Sequence, residues 1–390
     1  MSNAFQLAQP FPVPNQIESV SEMNVEANKI HHYPCSSCGA DLLFEPRDGF
    51  LTCPYCGHKQ AIPEGTERVE EQSYEQHLRI RPEQMAKLAV DALEVQCQSC
   101  GAKSIFTPPQ VAGRCEFCGV QIVAQPKSAD PILTPGGLLP FCITQQQAGS
   151  GLRQWLSSRW FAPNDLKRFA QPEAIQGVYL PFWTYDTNTS TGYQGQRGEY
   201  YYVTETYYDR DSRGNQVQRT RQVRHTRWYS ASGTVTGSFD DVLIPATLSL
   251  PSARLAALEP WDLPELKPYD PAFLSGFKAQ RYQVDLEQGF ERMKMVIAPA
   301  IESAVRNDIG GDEQQIDSLS TTYSGITFKH LLLPVYAGAY RYNGKLFQIL
   351  VNGRTGEIQG ERPYSFWKIA LLVMTILIVV LIVVMVFGNR

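Results

Sequence analysis

Eight of the nine cysteines in this 390-residue chain fall into four Cys-x-x-Cys pairs. Two pairs separated by 14 residues form a tetrad, and the second tetrad repeats the first at an offset of 62 residues. Glycine follows each pair, which suits a tight turn that points backbone N–H groups at sulfur. The eight residues are Cys35, Cys38, Cys53, Cys56, Cys97, Cys100, Cys115 and Cys118.

This spacing predicts two small metal modules. A segment of roughly 30 residues cannot bury enough apolar surface to offset its conformational entropy. Four thiolates on Zn²⁺ supply an apparent ~10–16 kcal/mol, which is also folding free energy. We therefore predict two structural Cys₄ zinc ribbons, at residues 31–62 and 97–125, each with two cysteine turns on short β-hairpins. Disulfides and redox-active Cys-x-x-Cys sites are the alternatives, and iron is the competing metal.

The C-terminal end of the chain is apolar. Residues 369–387 are nineteen consecutive positions at which Thr375 is the only polar residue. At 1.5 Å per residue this stretch is long enough to cross a hydrocarbon core of about 30 Å. We predict a transmembrane helix at residues 366–388, and reduced zinc thiolates require the N-terminal side to be cytoplasmic.

The remaining sequence divides around these features. Pro82 can open a helix between the ribbons with an apolar stripe that includes Met85, Leu88 and Leu93. The predicted segments are a disordered arm at 1–30, a helical linker at 63–96, a Pro-rich linker at 126–140 and an α+β domain at 141–362 with an antiparallel sheet.

Within the α+β domain, apolar spacing and turn residues predict individual elements. Cys142 lies in an apolar stretch and is predicted to be a buried core thiol without a function. The expected helices are 145–159 and 285–308, and the expected strands are 335–342, 345–351 and 357–360 in a β-meander, with 198–208 and 217–237 as an antiparallel pair.

No pattern in the sequence favours an enzyme. There is no Gly-x-x-x-x-Gly-Lys-Ser/Thr loop, no His-Glu-x-x-His and no nucleophile elbow, and the six histidines are scattered. Asp240 and Asp241 could serve acid–base chemistry or a metal, but turn residues are the simpler interpretation. We expect a protein without catalytic residues.

Nucleic-acid binding is the stronger competing hypothesis, because residues 193–229 interleave aromatic residues with arginines that could stack bases and neutralise phosphates. The chain as a whole has 35 Lys and Arg against 39 Asp and Glu, a net charge of −4. Residues 31–125, which contain both ribbons, hold eight Lys and Arg against twelve Asp and Glu. The ribbons should repel a phosphate backbone, so the arginine-rich region fits a charge-protected sheet edge or a surface for anionic lipid or an acidic partner.

The sequence resembles a family of bacterial membrane-anchored double-zinc-ribbon proteins, described as TFIIB-type or, through the ribbons alone, as relatives of the primosomal helicase. The resemblance rests on both tetrads and on the motifs at residues 179–183, 239–241, 332–336, 351–357 and 360–365. It implies an inner-membrane protein, with some members as partners of SPFH (flotillin-type) and phage-shock-type proteins.

From these observations we predict a single-pass inner-membrane adaptor. Its ribbons would bind a protein partner at the cytoplasmic face, and residues 366–388 would enter the lipid bilayer. The alternative is a membrane-tethered nucleic-acid-binding ribbon protein. The sequence also leaves a homo-oligomer open.

Overall fold

The computed structural model describes residues 33–63, 68–79, 131–161, 175–210, 214–280, 282–342, 345–361 and 363–387, and five short strands between residues 86 and 123. The strands are β1 Leu43–Glu45, β2 Phe50–Thr52, β3 Lys59–Gln60, β4 Gln72–Ser73, β5 Ala86–Lys87, β6 Leu93–Gln96, β7 Lys103–Phe106, β8 Ala112–Arg114, β9 Gln121–Val123, β10 Pro131–Ile132, β11 Gly137–Leu138, β12 Ile175–Arg210, β13 Gln216–Pro245, β14 Lys267–Pro268, β15 Lys278–Ala279, β16 Glu313–Tyr342, β17 Lys345–Asn352 and β18 Ile358–Gly360. The helices are α1 Tyr74–Leu78, α2 Gln145–Ser157, α3 Ser252–Ala256, α4 Leu286–Ile309 and α5 Phe366–Phe387, with 3₁₀ turns at Leu263–Glu265 and Pro271–Leu274.

Three long strands form the centre of the main sheet. β12 has 36 residues, and β13 and β16 have 30 each. β12 lies between the other two and pairs antiparallel with both. β4, β11 and β17 also pair with β16, whereas β15 pairs with β12. The fold is therefore α+β with a large antiparallel sheet, as the sequence predicts.

Helix α4 covers one face of this sheet because its apolar residues recur at helical spacing. Asp285 caps its first turn by accepting a hydrogen bond from the Gln288 N–H. The buried side chains pack against Trp183 and Tyr185 of β12. Gly289 permits this close approach, since a Cβ atom there would lie 2.3 Å from the Tyr185 hydroxyl. Gly310, with φ of 65°, ends the helix.

Several predicted elements of the α+β domain are confirmed. Helix α2 matches the prediction and has a capping box formed by Thr144 and Gln147. β16, β17 and β18 form the predicted meander. The predicted pair at 198–208 and 217–237 exists within the much longer ladder of β12 and β13. Residues 211–213 and 343–344, at two of the predicted turns, lie outside the described residues.

Two linker predictions need correction. The predicted helix from Pro82 is not formed where its residues are described, because Ala86–Lys87 and Leu93–Gln96 are strands that pair with residues 131–132 and 103–106. The end of the predicted Pro-rich linker, 126–140, belongs to the domain, since β11 pairs with both β14 and β16. Leu138 and Leu139 in it are fully buried. Strand pairing overrides the local helical and linker signals in both places, through a short hairpin at residues 93–106 and through longer-range pairs elsewhere.

The last helix, α5, begins after a hydrogen bond from the Ser365 N–H to the Phe161 carbonyl, 2.7 Å long. Apolar side chains along it are exposed, for example Leu371 at 68% and Met385 at 65%. Counting only side chains that the structure describes, no helix is long and apolar enough to cross a membrane.

Candidate metal centre and neighbouring polar sites

The four cysteines of the first tetrad lie together in the folded chain. Their sulfur atoms all lie within 4.8 Å of one another. Cys35 Sγ is 3.5 Å from Cys56 Sγ, and Cys38 Sγ is 3.5 Å from Cys53 Sγ. Four sulfurs arranged tetrahedrally around Zn²⁺ at about 2.3 Å would be separated by about 3.8 Å. The cluster therefore has the dimensions of a Cys₄ metal site.

Two equivalent turns position these sulfurs. In the first, the Gly39 N–H donates to the Cys35 carbonyl over 2.8 Å, and in the second the Gly57 N–H donates to the Cys53 carbonyl over 3.0 Å. Both glycines have a left-handed φ, 76° and 72°. Hydrogen bonds from the backbone N–H groups of Cys56 and Tyr55 lower the pKa of the Cys53 thiol to about 6. This environment favours the thiolate, which is the form that binds metal.

The first ribbon is packed on the α+β domain rather than held apart from it. The Phe44 N–H donates to the Ser275 carbonyl over 3.0 Å. The Phe44 ring contacts Phe273 edge to face with centroids 5.4 Å apart. Cys35, Cys53 and Phe44 belong to the same buried cluster as Tyr336 of β16. The metal site and part of the domain core therefore share one hydrophobic cluster.

The second tetrad, Cys97, Cys100, Cys115 and Cys118, lies outside the described residues. The strands that flank its two Cys-x-x-Cys pairs are described, and they pair in the register of the first ribbon. Pro34 pairs with Asp41, and at an offset of 62 residues Gln96 pairs with Lys103. In the same way, the pairing of Thr52 with Lys59 recurs as the pairing of Arg114 with Gln121. The repeat thus extends from sequence to strand pairing.

A second polar cluster lies where β12 has a β-bulge at Asp186. Asp186 accepts hydrogen bonds from the Asp241 N–H and, over 2.9 Å, from the Thr327 hydroxyl. The Lys329 ammonium lies 2.7 Å from Asp241 Oδ1 and 3.2 Å from Glu71 Oε1. Asp241 has a φ of 48° and is the one non-glycine among the described residues with positive φ.

Asp240 and Asp241 are thus part of a larger network than the turn that the sequence predicts. Carboxylate oxygens of Glu71, Asp186 and Asp240 lie within 4.8 Å of one another. Sequence reasoning missed Glu71, Asp186 and Lys329, which are far apart in the chain. For Asp186 and Lys329 the sequence does contain a signal of a polar site. Each is a charged residue within a mostly apolar or aromatic strand, as in residues 179–186.

The pKa of Asp186 gives a test of this network. Burial, together with the nearby Glu71 carboxylate, raises the pKa of Asp186 to about 6, well above its unfolded value of 3.8. The folded state therefore holds this proton more tightly, and Asp186 should lower stability as the pH rises from about 4 to about 6. Asp186→Asn should remove this loss, worth about 1–2 kcal/mol after allowance for solvent screening.

The measurement is the urea midpoint of the wild type and of Asp186→Asn from pH 4 to pH 7. As the pH rises from about 4 to about 6, the urea midpoint of Asp186→Asn should increase relative to that of the wild type. Asp317→Asn, an exposed acid on the same sheet, provides the control. Parallel stability curves for Asp186→Asn and wild type would contradict the assignment.

Cys142 differs from its prediction. It is exposed, not buried, and lies at the start of the domain. The Arg354 guanidinium donates to its sulfur over 2.9 Å and to Asp262 over 2.8 Å. The prediction rested on local hydropathy, which contains no information about Arg354. This arginine lies in a turn more than 200 positions further along the chain.

The arginine-rich region forms a two-stranded arm, residues 199–210 of β12 and 216–229 of β13, which we call the hairpin arm. Its arginines are largely engaged within the arm. Arg219 and Arg221 form ion pairs with Asp209 and Glu205, at 3.4 and 3.1 Å. The guanidinium groups of Arg224 and Arg227 lie over the Tyr200 and Tyr201 rings, at 4.2 and 4.9 Å from the ring centroids. These contacts reduce the positive charge that is free for phosphate.

Comparisons with known proteins show a similarity that covers most of the chain. The chain is 25% identical over 341 residues to "Uncharacterized protein YdjG" of Bacillus subtilis (strain 168), across 87% of this chain and 92% of that protein. No protein-family model matches the chain. No solved structure matches it either. That name carries no activity to this chain.

Proposed function

We propose that this chain is a non-enzymatic adaptor of the bacterial inner membrane that binds a protein partner through zinc ribbons. The observation that carries the proposal is the tetra-cysteine cluster on a ribbon fixed to the α+β domain. All four ligands come from the chain, so a bound Zn²⁺ has no open position for a substrate and its role is structural. The second tetrad would hold the second zinc ion.

The ribbon offers partner-binding groups on its outer surface. The turn between Cys53 and Cys56 carries Tyr55, which is 83% exposed. Exposed tyrosines on rigid turns provide large contact area at low cost in conformational entropy. The partner that the family resemblance implies is of the SPFH or phage-shock type.

Membrane attachment is proposed from helix α5. Its exposed apolar residues form one continuous surface, including Leu371, Leu377 and Ile382. Such a surface is costly in water and favourable in hydrocarbon. With residues 366–388 in the bilayer, the ribbons and the domain would lie on the cytoplasmic side, where the thiols stay reduced.

Affinity purification from bacterial membranes in mild detergent tests the adaptor. We expect SPFH-type or phage-shock-type proteins to co-purify with the wild type, and Tyr55→Ala to reduce their recovery severalfold without loss of zinc. Trp160→Ala is the matched control, since Trp160 is also a highly exposed aromatic residue, at 76%, and follows helix α2 of the domain instead of belonging to the ribbon. Equal recovery with Tyr55→Ala and wild type would contradict partner binding through this turn.

The alternative function, nucleic-acid binding, is favoured by the aromatic residues of the hairpin arm, such as Tyr202 and Tyr208 at 62% and 71% exposed. We expect only weak binding, no tighter than ~10⁻⁴ to 10⁻⁶ M at physiological salt. The measurement is oligonucleotide affinity against salt concentration, with Arg219→Ala and Arg221→Ala combined. Nanomolar affinity that falls steeply with salt, and a shallower slope in the variant, would favour the alternative.

A further inference from the structure

Strand β13 is an edge strand of the main sheet as far as the described residues show. Among the described residues, β13 pairs only with β12, so no described strand pairs with its outer edge along residues 228–239. An edge strand directs alternate N–H and C=O groups outward, where they can pair with another chain. Protein edges are normally protected by lysine, proline, bulges or short length. Residues 228–239 of β13 contain no charged residue and no proline.

Charge along β13 favours a particular partner for this edge. The strand carries four arginines in residues 216–227 and no acid there, whereas Asp240 and Asp241 follow the neutral stretch. A strand that is basic in its first part and acidic near its end complements itself when two copies run antiparallel. With a two-fold axis near Ser232, Arg224 of each copy lies opposite Asp240 of the other.

The hairpin arm supplies an independent reason for two copies to pair through β13. β16 pairs with β12 only as far as Gly198, opposite Glu313, so beyond this point the described part of the sheet has two strands. Two-stranded hairpins are marginally stable in water. An antiparallel second copy would place its own β13 beside the base of the arm and add further strands there. The arm's exposed aromatic residues would then lie next to a broader sheet.

Helix α4 is compatible with this pairing. It covers β13 from Ala231 and Val235 to Phe239 and Val242. With the two-fold axis near Ser232, helix α4 of the second copy lies beside the hairpin arm of the first copy. It therefore does not collide with helix α4 of the first copy. The opposite face at this position carries exposed Ser230 and Thr234. It holds no charge that would oppose a second identical face.

We propose that two copies of this chain pair antiparallel through residues 228–239 of β13. The interface is isologous, and the long strands of both copies then form one continuous sheet. This inference does not depend on the ribbons or on the partner proposed above. A dimer would also present the ribbons in pairs, which raises avidity for a partner that is itself multivalent.

Cysteine cross-linking tests the pairing directly. In full-length protein in mild detergent, with Cys142→Ser as background, Ser232→Cys should form an interchain disulfide on mild oxidation. Residues directly opposite across an antiparallel pair have Cα atoms about 4.5–5.5 Å apart, within the range that a disulfide spans. Ser320→Cys is the matched control and should remain monomeric on a non-reducing gel, since it lies in the first part of β16, where β12 is the one described neighbouring strand.

Charged substitutions on the edge of β13 test the same contact, with the molecular mass of the protein as the measurement. The wild type should be dimeric by light scattering with detergent contrast, and Ser232→Lys with Thr234→Lys should make it monomeric, because like charges meet across the axis. Ser320→Lys with Thr322→Lys should leave the dimer intact. A monomeric wild type at tens of micromolar would overturn the proposal. So would a dimer that survives the β13 lysines, or a disulfide that forms at Ser320→Cys and not at Ser232→Cys.

Discussion

Changing Cys53 and Cys56 together to serine is expected to remove one of the two zinc ions that we propose and to unfold the first ribbon. Zinc binding to such modules contributes ~10–16 kcal/mol of apparent folding free energy, and the ribbon alone buries too little apolar surface to replace it. Serine preserves the size of the side chain but does not offer a thiolate. Two cysteine ligands cannot hold a tetrahedral structural site.

The measurement is elemental analysis of protein purified without chelator. We expect about two zinc ions per wild-type chain and about one in the double variant. Cys142→Ser is the control and should keep both, since Cys142 is exposed and contacts Arg354 instead of the tetrad. One metal ion or none in the wild type, or a metal other than zinc at full occupancy, would contradict the assignment.

The effect of this substitution should extend beyond the ribbon. The sequence alone suggests that only the ribbon would unfold. Phe44, however, packs on Phe273 and lies near Phe277, with ring centroids 5.4 and 6.4 Å away. Unfolding of the ribbon would expose these two rings of the domain. Increased binding of a hydrophobic dye and faster proteolysis near residues 271–280 would detect the exposure.

Sequence reasoning succeeded where the determinants are local. Cysteine ligands two residues apart and glycine at the next position specify a turn almost alone, and the first tetrad folds as the spacing predicts. The helix capped by Thr144 and the meander that ends at β18 are likewise encoded by short-range periodicity and turn residues.

Long-range pairing explains most of what the sequence did not reveal. Nothing in residues 198–208 indicates that their strand begins at Ile175 and carries three different neighbours. The Lys329 ammonium meets carboxylates that lie 88 and 258 positions earlier in the chain. The apolar residues around Cys142 predicted a buried thiol. Local hydropathy cannot account for Arg354, a polar partner from a distant turn.

Deleting residues 366–390 is expected to move the protein from the membrane fraction to the soluble fraction, with the ribbons and domain folded. Fifteen of the nineteen residues from Ile369 to Phe387 are Leu, Ile, Val or Phe. At about −0.3 to −0.6 kcal/mol each near the centre of the bilayer, they favour insertion by several kcal/mol. The cut leaves intact the hydrogen bond between Ser365 and Phe161, so the end of the domain keeps its contact.

The fractions are separated after a high-salt and alkaline carbonate wash, which removes proteins that bind membranes by charge alone. Deletion of residues 2–30 is the matched control, and this variant should stay in the membrane fraction. Soluble protein with two zinc ions and a cooperative urea transition would show that the anchor is separable from the fold. If the truncated protein instead stayed on washed membranes, an anchor at 366–388 would be wrong. The hairpin arm, with Tyr202 and Tyr208 exposed beside Arg224, would then be the surface to test against anionic vesicles.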